Sequence, residues 1–133
     1  MSLIMFDLEN FKAVNDTHGH QAGDEALQRF VALSSEITRK NDVFGRWGGE
    51  EFVLICPECP EDEAHAVAEK LRRAVAEDPL LRKFGLTVSA GLTFAGRFET
   101  ADQLLSAADQ ALYAAKQAGR NRVYGGSFGK PQQ

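Results

Sequence analysis

No stretch of this chain stays apolar for long. None approaches the roughly 20 residues that a membrane-spanning helix needs. Ser2 to Leu8, the apolar opening segment, ends in a charged cluster and does not read as a secretory signal. Basic residues are scarce as well. Lys and Arg together number 15 against 19 Asp and Glu, the net charge is -4, and no basic run occurs. Tight electrostatic binding of nucleic acid is therefore excluded as a main activity. There are two cysteines, Cys56 and Cys59, in "CPEC". A lone CxxC is either redox-active or half of a zinc site, but no second pair accompanies it. His18, His20 and His65 do not stand at zinc-motif spacing to it. The pair reads instead as two residues flanking a strand-to-helix turn. Internal repeats and linkers are also lacking.

What is present is an ordinary globular composition. The chain has 133 residues, 44% hydrophobic and 26% charged, enough for one domain with its own core. Leu3 to Leu8 reads as a buried strand. "NFKAVNDTHG" allows two turns of helix closed by Gly19. After Asp24, the residues Leu27, Phe30, Val31, Ser34 and Ile37 share one helical face. Val43 to Trp47 and Glu51 to Cys56 read as strands joined by Gly48-Gly49 as a two-residue hairpin. Pro60 opens a helix whose inner face is Ala64, Val67, Ala68, Leu71, Ala74 and Val75. "LTVSAGLTF" alternates as a half-buried strand. Thr100 and Gln103 form a capping box for a helix stopped by Gly119. Val123 and Tyr124 suggest a last short strand, and 126–133 a loose tail. The order β-α-α-β-β-α-β-α-β predicts an α+β fold, a mostly antiparallel central sheet flanked by helices.

Three acidic clusters stand out: "FDLENF", "GDEAL" and "GGEEF". Asp7 falls at the end of the first strand, and Glu50 and Glu51 at the hairpin. If those strands are neighbours, the carboxylates converge at one edge. Hard oxygen ligands of this kind suit Mg²⁺ and leave positions open for phosphate oxygens, the layout of a phosphoryl- or nucleotidyl-transfer site. Taken singly, each carboxylate could equally solvate a strand end. A regular strand would also turn Glu50 and Glu51 to opposite faces.

"DLENFKAVNDTHGHQAGDEAL", "GGEEF" and "ALYAAKQAGRNRV" together strongly resemble the GGDEF family of diguanylate cyclases, in order, spacing and residue type, up to Tyr124. The resemblance implies condensation of two GTP into cyclic di-GMP with release of two pyrophosphates. It also implies a fold similar to the palm of nucleotide cyclases and polymerases. Asp7 and Glu50, with the backbone carbonyl of Leu8, would hold Mg²⁺, or Mn²⁺ in its place. Glu51 would act near the ribose 3′-hydroxyl as base or second-metal ligand, and which of Glu50 and Glu51 is the base stays open. Asn15 and Asp24 would read guanine, and His20 would add a contact to the nucleotide. For Asp24 the plain alternative is a helix cap, and for His20 a packing histidine. Backbone N–H groups around Phe11 and Lys12 would hold phosphate at a helix start. Gly48 and Gly49 would leave room for the nucleotide. Lys116 and Arg120 would reach the β- and γ-phosphates, or merely complement a helix C-terminus.

"RKND", Arg39 to Asp42, stands at the spacing of the family's inhibitory RxxD motif, where cyclic di-GMP binds. Arg72 and Arg73 read better as a solvated helix face. Glu9 stands where the family usually has Asp. The chain also starts at the first strand, without the family's usual N-terminal helix and "DxLTGLxNR" stretch, whose acidic residue would pair with Arg46. The expectation is a diguanylate cyclase domain over residues 1–125. It would be cytoplasmic, without membrane or nucleic-acid contact, active as a homodimer and governed by an N-terminal sensor domain in the parent chain. The alternative is a catalytically inactive GTP- or cyclic di-GMP-binding regulatory module on the same fold.

Overall fold

The computed structural model describes residues 1–97 and 100–125; the expected tail over 126–133 lies outside them. Strand β1 (Ser2–Glu9) is buried at every position. A strand covered on both faces must be central, and β1 is the middle strand of a five-stranded sheet. The order is β2 (Val43–Gly48), β3 (Glu51–Cys56), β1, β4 (Thr87–Phe94), β5 (Val123–Gly125). All pairings are antiparallel except the parallel β4–β5 pair. The fold is thus the expected α+β arrangement.

Alternation along β1 separates two layers. Ile4, Phe6 and Leu8 face a large core with Phe30, Phe52, Leu54 and Leu71. That side is covered by α1 (Phe11–His18), α2 (His20–Ile37), α3 (Glu61–Glu77) and α4 (Pro79–Lys83). Leu3 and Met5 face Val53, Leu104, Ala108 and Leu112 beneath α5 (Ala101–Gln117). The expected capping box starts α5: Gln103 N–H donates to Thr100 Oγ1 at 3.1 Å and Thr100 N–H to Gln103 Oε1 at 3.2 Å. Gly91 lets α5 lie directly on β4. A Cβ there would stand 2.2 Å from the Ala108 carbonyl oxygen and 2.3 Å from the Leu112 nitrogen.

Four sequence expectations shift. Helix α2 begins at His20 under a Gly19 cap, so Asp24 lies inside the helix and does not cap it. Of its expected inner face, Phe30 and Ser34 are buried and Leu27 and Ile37 pack partly buried on the core, joined by Ala26 and Leu33, while Val31 turns outward, 41% exposed. The Phe30 ring sets this rotation by packing on Phe6, Phe44 and Phe52, and the Ser34 hydroxyl donates to the Phe30 carbonyl at 2.8 Å. The short helix α4 was unforeseen, although Asp78-Pro79 carries its start signal: Asp78 accepts from Leu81 N–H at 3.1 Å. Strand β4 is buried on both faces, not one, because Ser89, Gly91 and Thr93 lie under α5. Finally, Gly48 pairs with Glu51 across an irregular step after Arg46. The two-residue turn is therefore Gly49-Glu50, with Gly49 at φ 42°. Among the described residues no helix is long and apolar enough to cross a membrane.

The Gly91 contact is against backbone, which cannot rotate away. Gly91→Ala should destabilise the domain by about 3 kcal/mol, the upper end for overpacking, in urea denaturation. A loss below about 1 kcal/mol would show that α5 can lift off β4.

Candidate active site at the end of the central strand

The layer under α5 changes character along β1. Leu3 and Met5 are followed on the same face by Asp7 and Glu9, only 5% and 6% exposed. Asp7 is the register partner of Glu51 on β3 and of Ser89 on β4, so all three share that face. Glu50 lies in the turn, and its carbonyl accepts the Leu8 N–H at 3.0 Å. Only Glu51 belongs to the ladder. The two adjacent glutamates thus escape the strict alternation that would have set them on opposite faces.

Buried carboxylates need partners, and the end of α5 supplies them. Lys116 Nζ donates to Asp7 Oδ2 and stands 3.9 Å from Glu9 Oε1. Arg120 Nε lies 2.7 Å from Glu9 Oε2, as an ion pair without hydrogen-bond alignment. Arg120 and Asn121 have φ of 61° and 49°, a conformation that non-glycine residues seldom adopt. This turn folds the chain back towards β5, where Asn121 N–H donates to Ser89 Oγ at 3.1 Å. The strained backbone thereby keeps Arg120 over Glu9.

Helix α1 starts directly beyond β1. Its cap, Asn10, sits at φ 69° and donates its side-chain amide to the Gly85 carbonyl at 3.1 Å, not to the helix. No side chain caps α1 and its first turn holds no acid, so its positive end is open. Phe11 packs on the core and Lys12 is exposed. Asn15 lies against Gly23 of α2, while His20 and Asp24 are exposed at the start of that helix.

Residues 1–122 match the family model described as "Diguanylate cyclase, GGDEF domain". The chain belongs to the GGDEF family. It is 43% identical over 122 residues to diguanylate cyclase DgcM of Escherichia coli K12, covering 92% of this chain and 30% of that protein. Its fold is similar to the active GGEEF domain of a diguanylate cyclase from Vibrio cholerae, at TM-score 0.85 and 34% identity, covering 93% of this chain and 81% of that one. It is also similar to the GGDEF domain of DgcB from Caulobacter crescentus, solved in complex with c-di-GMP, at TM-score 0.84 and 33% identity, covering 93% and 76%. The chain spans about a third of the length of the curated relatives it matches.

The GGDEF family is generally metal-dependent. Among the described residues no three His, Cys, Asp or Glu side chains are gathered to hold an ion as they stand. The donor chemistry nevertheless fits. Asp7 Oδ1 is buried with no hydrogen-bond partner, Glu51 is its register neighbour, and the oxygens are hard donors. The Lys116 ammonium provides the positive charge in their midst.

Electrostatics agree with this crowding. Burial pushes Asp7 and Glu9 above the ordinary carboxylate range, against the pull of Lys116. Burial and then the Asp7 charge raise Glu51. For Lys116 burial works downward, but the hydrogen bond and charge of Asp7, with Glu9 and Glu51, lift it above the usual lysine value.

Sequence reasoning passed over Glu9, treating it only as a departure, and over Ser89. The alternation Leu3, Met5, Asp7, Glu9 already places Glu9 on the face of Asp7.

Arg39 and Asp42 are brought together at the far end of α2. Arg39 N–H donates to Asp42 Oδ2 at 2.8 Å, and the guanidinium reaches Glu63 Oε2 at 3.3 Å. With Pro57, Glu58 and Cys59 they line a cleft of about 240 Å³. Cys56 and Cys59 are free and buried. Burial pushes Cys56 up to about 12 and raises Cys59, so neither thiol is a nucleophile near neutral pH. Arg72 donates to Glu69 and, at 3.0 Å, to Asn121 Oδ1. It supports the Arg120–Asn121 turn and is not a free basic contact.

The Asp7–Lys116 pair carries a pH signature. A carboxyl whose folded pKa is raised favours the native state when protonated. Its contribution is present below the ordinary Asp value of 3.8 and lost as pH rises through the raised value. Lys116→Met removes the counter-charge and enlarges that loss. It should cost about 2 kcal/mol near pH 8 and clearly less near pH 4.5, read by urea denaturation at both. An equal cost at the two pH values would mean that Lys116 contributes packing and not charge.

Proposed function

We propose that this domain is a Mg²⁺-dependent diguanylate cyclase, condensing two GTP into cyclic di-GMP and two pyrophosphates. The observation that carries the reading is the buried Asp7, register partner of the half-buried Glu51 and ion-paired to Lys116, with Glu9 beside it on β1 ion-paired to Arg120. Carboxylates for a cation and cations for phosphate lie side by side, next to an uncapped helix start. Asp7 and Glu50, with the Leu8 carbonyl, would hold Mg²⁺, or Mn²⁺ in its place. When bound, the cation would screen the phosphate charge and ease ionisation of the attacking hydroxyl.

The remaining work falls to the chain. The N–H groups of Phe11 and Lys12 receive phosphate oxygens. Lys116 and Arg120 turn from Asp7 and Glu9 to the β- and γ-phosphates as the substrate brings its own charge. Asn15 and Asp24 accept from the guanine N1–H and N2–H₂, and His20, Gly48 and Gly49 border the nucleotide. Glu51, raised by burial, takes the ribose 3′-proton or helps Glu50 hold the cation. The 3′-oxygen attacks the α-phosphorus of the second GTP, the bond to the β-phosphate oxygen breaks, and pyrophosphate leaves. Each domain presents one GTP and the product ring has two identical halves, so the active unit is a homodimer with facing sites. Sensing belongs to other segments of a longer parent, in keeping with the length of the relatives. The substrate places the domain in the cytoplasm.

Incubation with GTP and Mg²⁺ at high protein concentration, followed by chromatography, should yield cyclic di-GMP. Asp7→Asn and Glu51→Gln should each lower turnover at least about a hundredfold, the scale of losing a catalytic group. GTP binding with no product from an enforced dimer would instead assign the inactive regulatory module.

The paired Arg39 and Asp42 form the product-inhibition site in this reading. Arg39→Ala should leave the initial rate intact and raise the cyclic di-GMP concentration for half-inhibition about tenfold or more, as expected for losing a charge-assisted contact. Unchanged inhibition would remove that assignment.

A further inference from the structure

Gly23 is a glycine that backbone conformation does not explain. It lies within α2, where alanine is the better helix former, it is buried, and its φ is not positive. What it meets is a side chain. A Cβ on Gly23 would stand 1.9 Å from Asn15 Oδ1 and 2.9 Å from Asn15 Cγ. The backbone of Asn15 is fixed, since its carbonyl accepts the Gly19 N–H at 2.9 Å. Only the amide group could yield. A methyl group at position 23 would therefore displace the amide and leave both helices in place.

We propose that Gly23 is a positioning residue for base recognition: its bare backbone seats the Asn15 amide beside Asp24, and any side chain there turns a guanine-selective site into a base-indifferent one. The inference rests on the reading of Asn15 and Asp24 as guanine readers and deepens it. It explains why a helix carries its weakest ordinary former next to Asp24. It also separates the role of Gly23 from a packing role, because alanine should preserve or strengthen α2 while spoiling the site.

The test uses 3′-deoxy-GTP and 3′-deoxy-ITP, which lack the attacking hydroxyl and so bind without turnover. Inosine also lacks the exocyclic amine of guanine. Binding is measured by calorimetry for the wild type, Gly23→Ala, Asn15→Ala and the double variant, with thermal midpoints alongside. Gly23→Ala should weaken 3′-deoxy-GTP about tenfold and 3′-deoxy-ITP less than about threefold, the scale of one lost hydrogen bond. Its thermal midpoint should hold or rise. Added to Asn15→Ala, it should change affinity no further, the mark of two residues acting as one. Equal loss in both backgrounds, retained preference for guanine, or a lowered midpoint with both nucleotides equally affected would each overturn the inference alone. If Asn15→Ala itself keeps the guanine preference, the guanine-reader assignment fails and takes this inference with it.

Discussion

Two carboxylates sit on the central strand of this domain with almost no access to water, and the surrounding structure answers to them. Asp7 and Glu9 occupy positions of β1 where every neighbouring residue is buried. Uncompensated, such groups would be expensive to desolvate. Lys116 and Arg120 neutralise them, and both come from the last turn of α5 or the turn just after it. To deliver them, α5 must lie close to the sheet and stop at the right place. Gly91 removes the side chain that would hold the helix away, the Thr100–Gln103 box fixes its start, and the left-handed Arg120–Asn121 turn reverses the chain over Glu9.

The same pairing suits an exchange of partners. The cations of α5 belong to the strand carboxylates. In the function proposed above, a metal–triphosphate would bring positive charge to the carboxylates and negative charge to the cations. Partners would then exchange while overall charge balance is preserved. A fully complementary rigid pair would have no reason to part. Here the fit is incomplete: Asp7 Oδ1 has no hydrogen-bond partner and the Arg120–Glu9 contact is poorly aligned. Burial raises Asp7, Glu9 and Glu51 together, so the charged form of each carboxylate is disfavoured where it stands.

Much of this was legible in the sequence, through patterns that act locally. Strand alternation and the Thr100–Gln103 box rest on neighbours a few residues apart, whereas Asp7 meets Glu51 only because β1 and β3 pair. What escaped depends on tertiary packing. The helical period marks Leu27, Phe30, Ser34 and Ile37 of α2 but does not encode the outward turn of Val31, which goes with Phe30 locking among three other phenylalanines. Strand β4 looked half-buried because Ser89, Gly91 and Thr93 seem to suit solvent, yet small residues are what a closely packed helix requires. The turn was placed one residue early because two glycines mark a hairpin without marking the irregular step at Trp47. Glu9 is readable from alternation alone, since Leu3, Met5, Asp7 and Glu9 share one face of β1; its pairing with Arg120 depends on where α5 ends and is not.

Among the described residues, several departures from local preference gather around the site. Glycine inside α2 costs about 1 kcal/mol against alanine; Asn10, Arg120 and Asn121 hold left-handed backbones; helix α1 starts without a side-chain cap; and two acids are buried under a helix end. Each choice weakens the isolated element that carries it. Elsewhere among the described residues Asp78 caps α4 and Cys56 and Cys59 are buried as protonated thiols, although α3 also starts without a side-chain cap, after Pro60. Folding alone gives no reason for that distribution. It follows if the end of β1, the start of α1 and the end of α5 are shaped for a charged ligand that is absent while the chain folds.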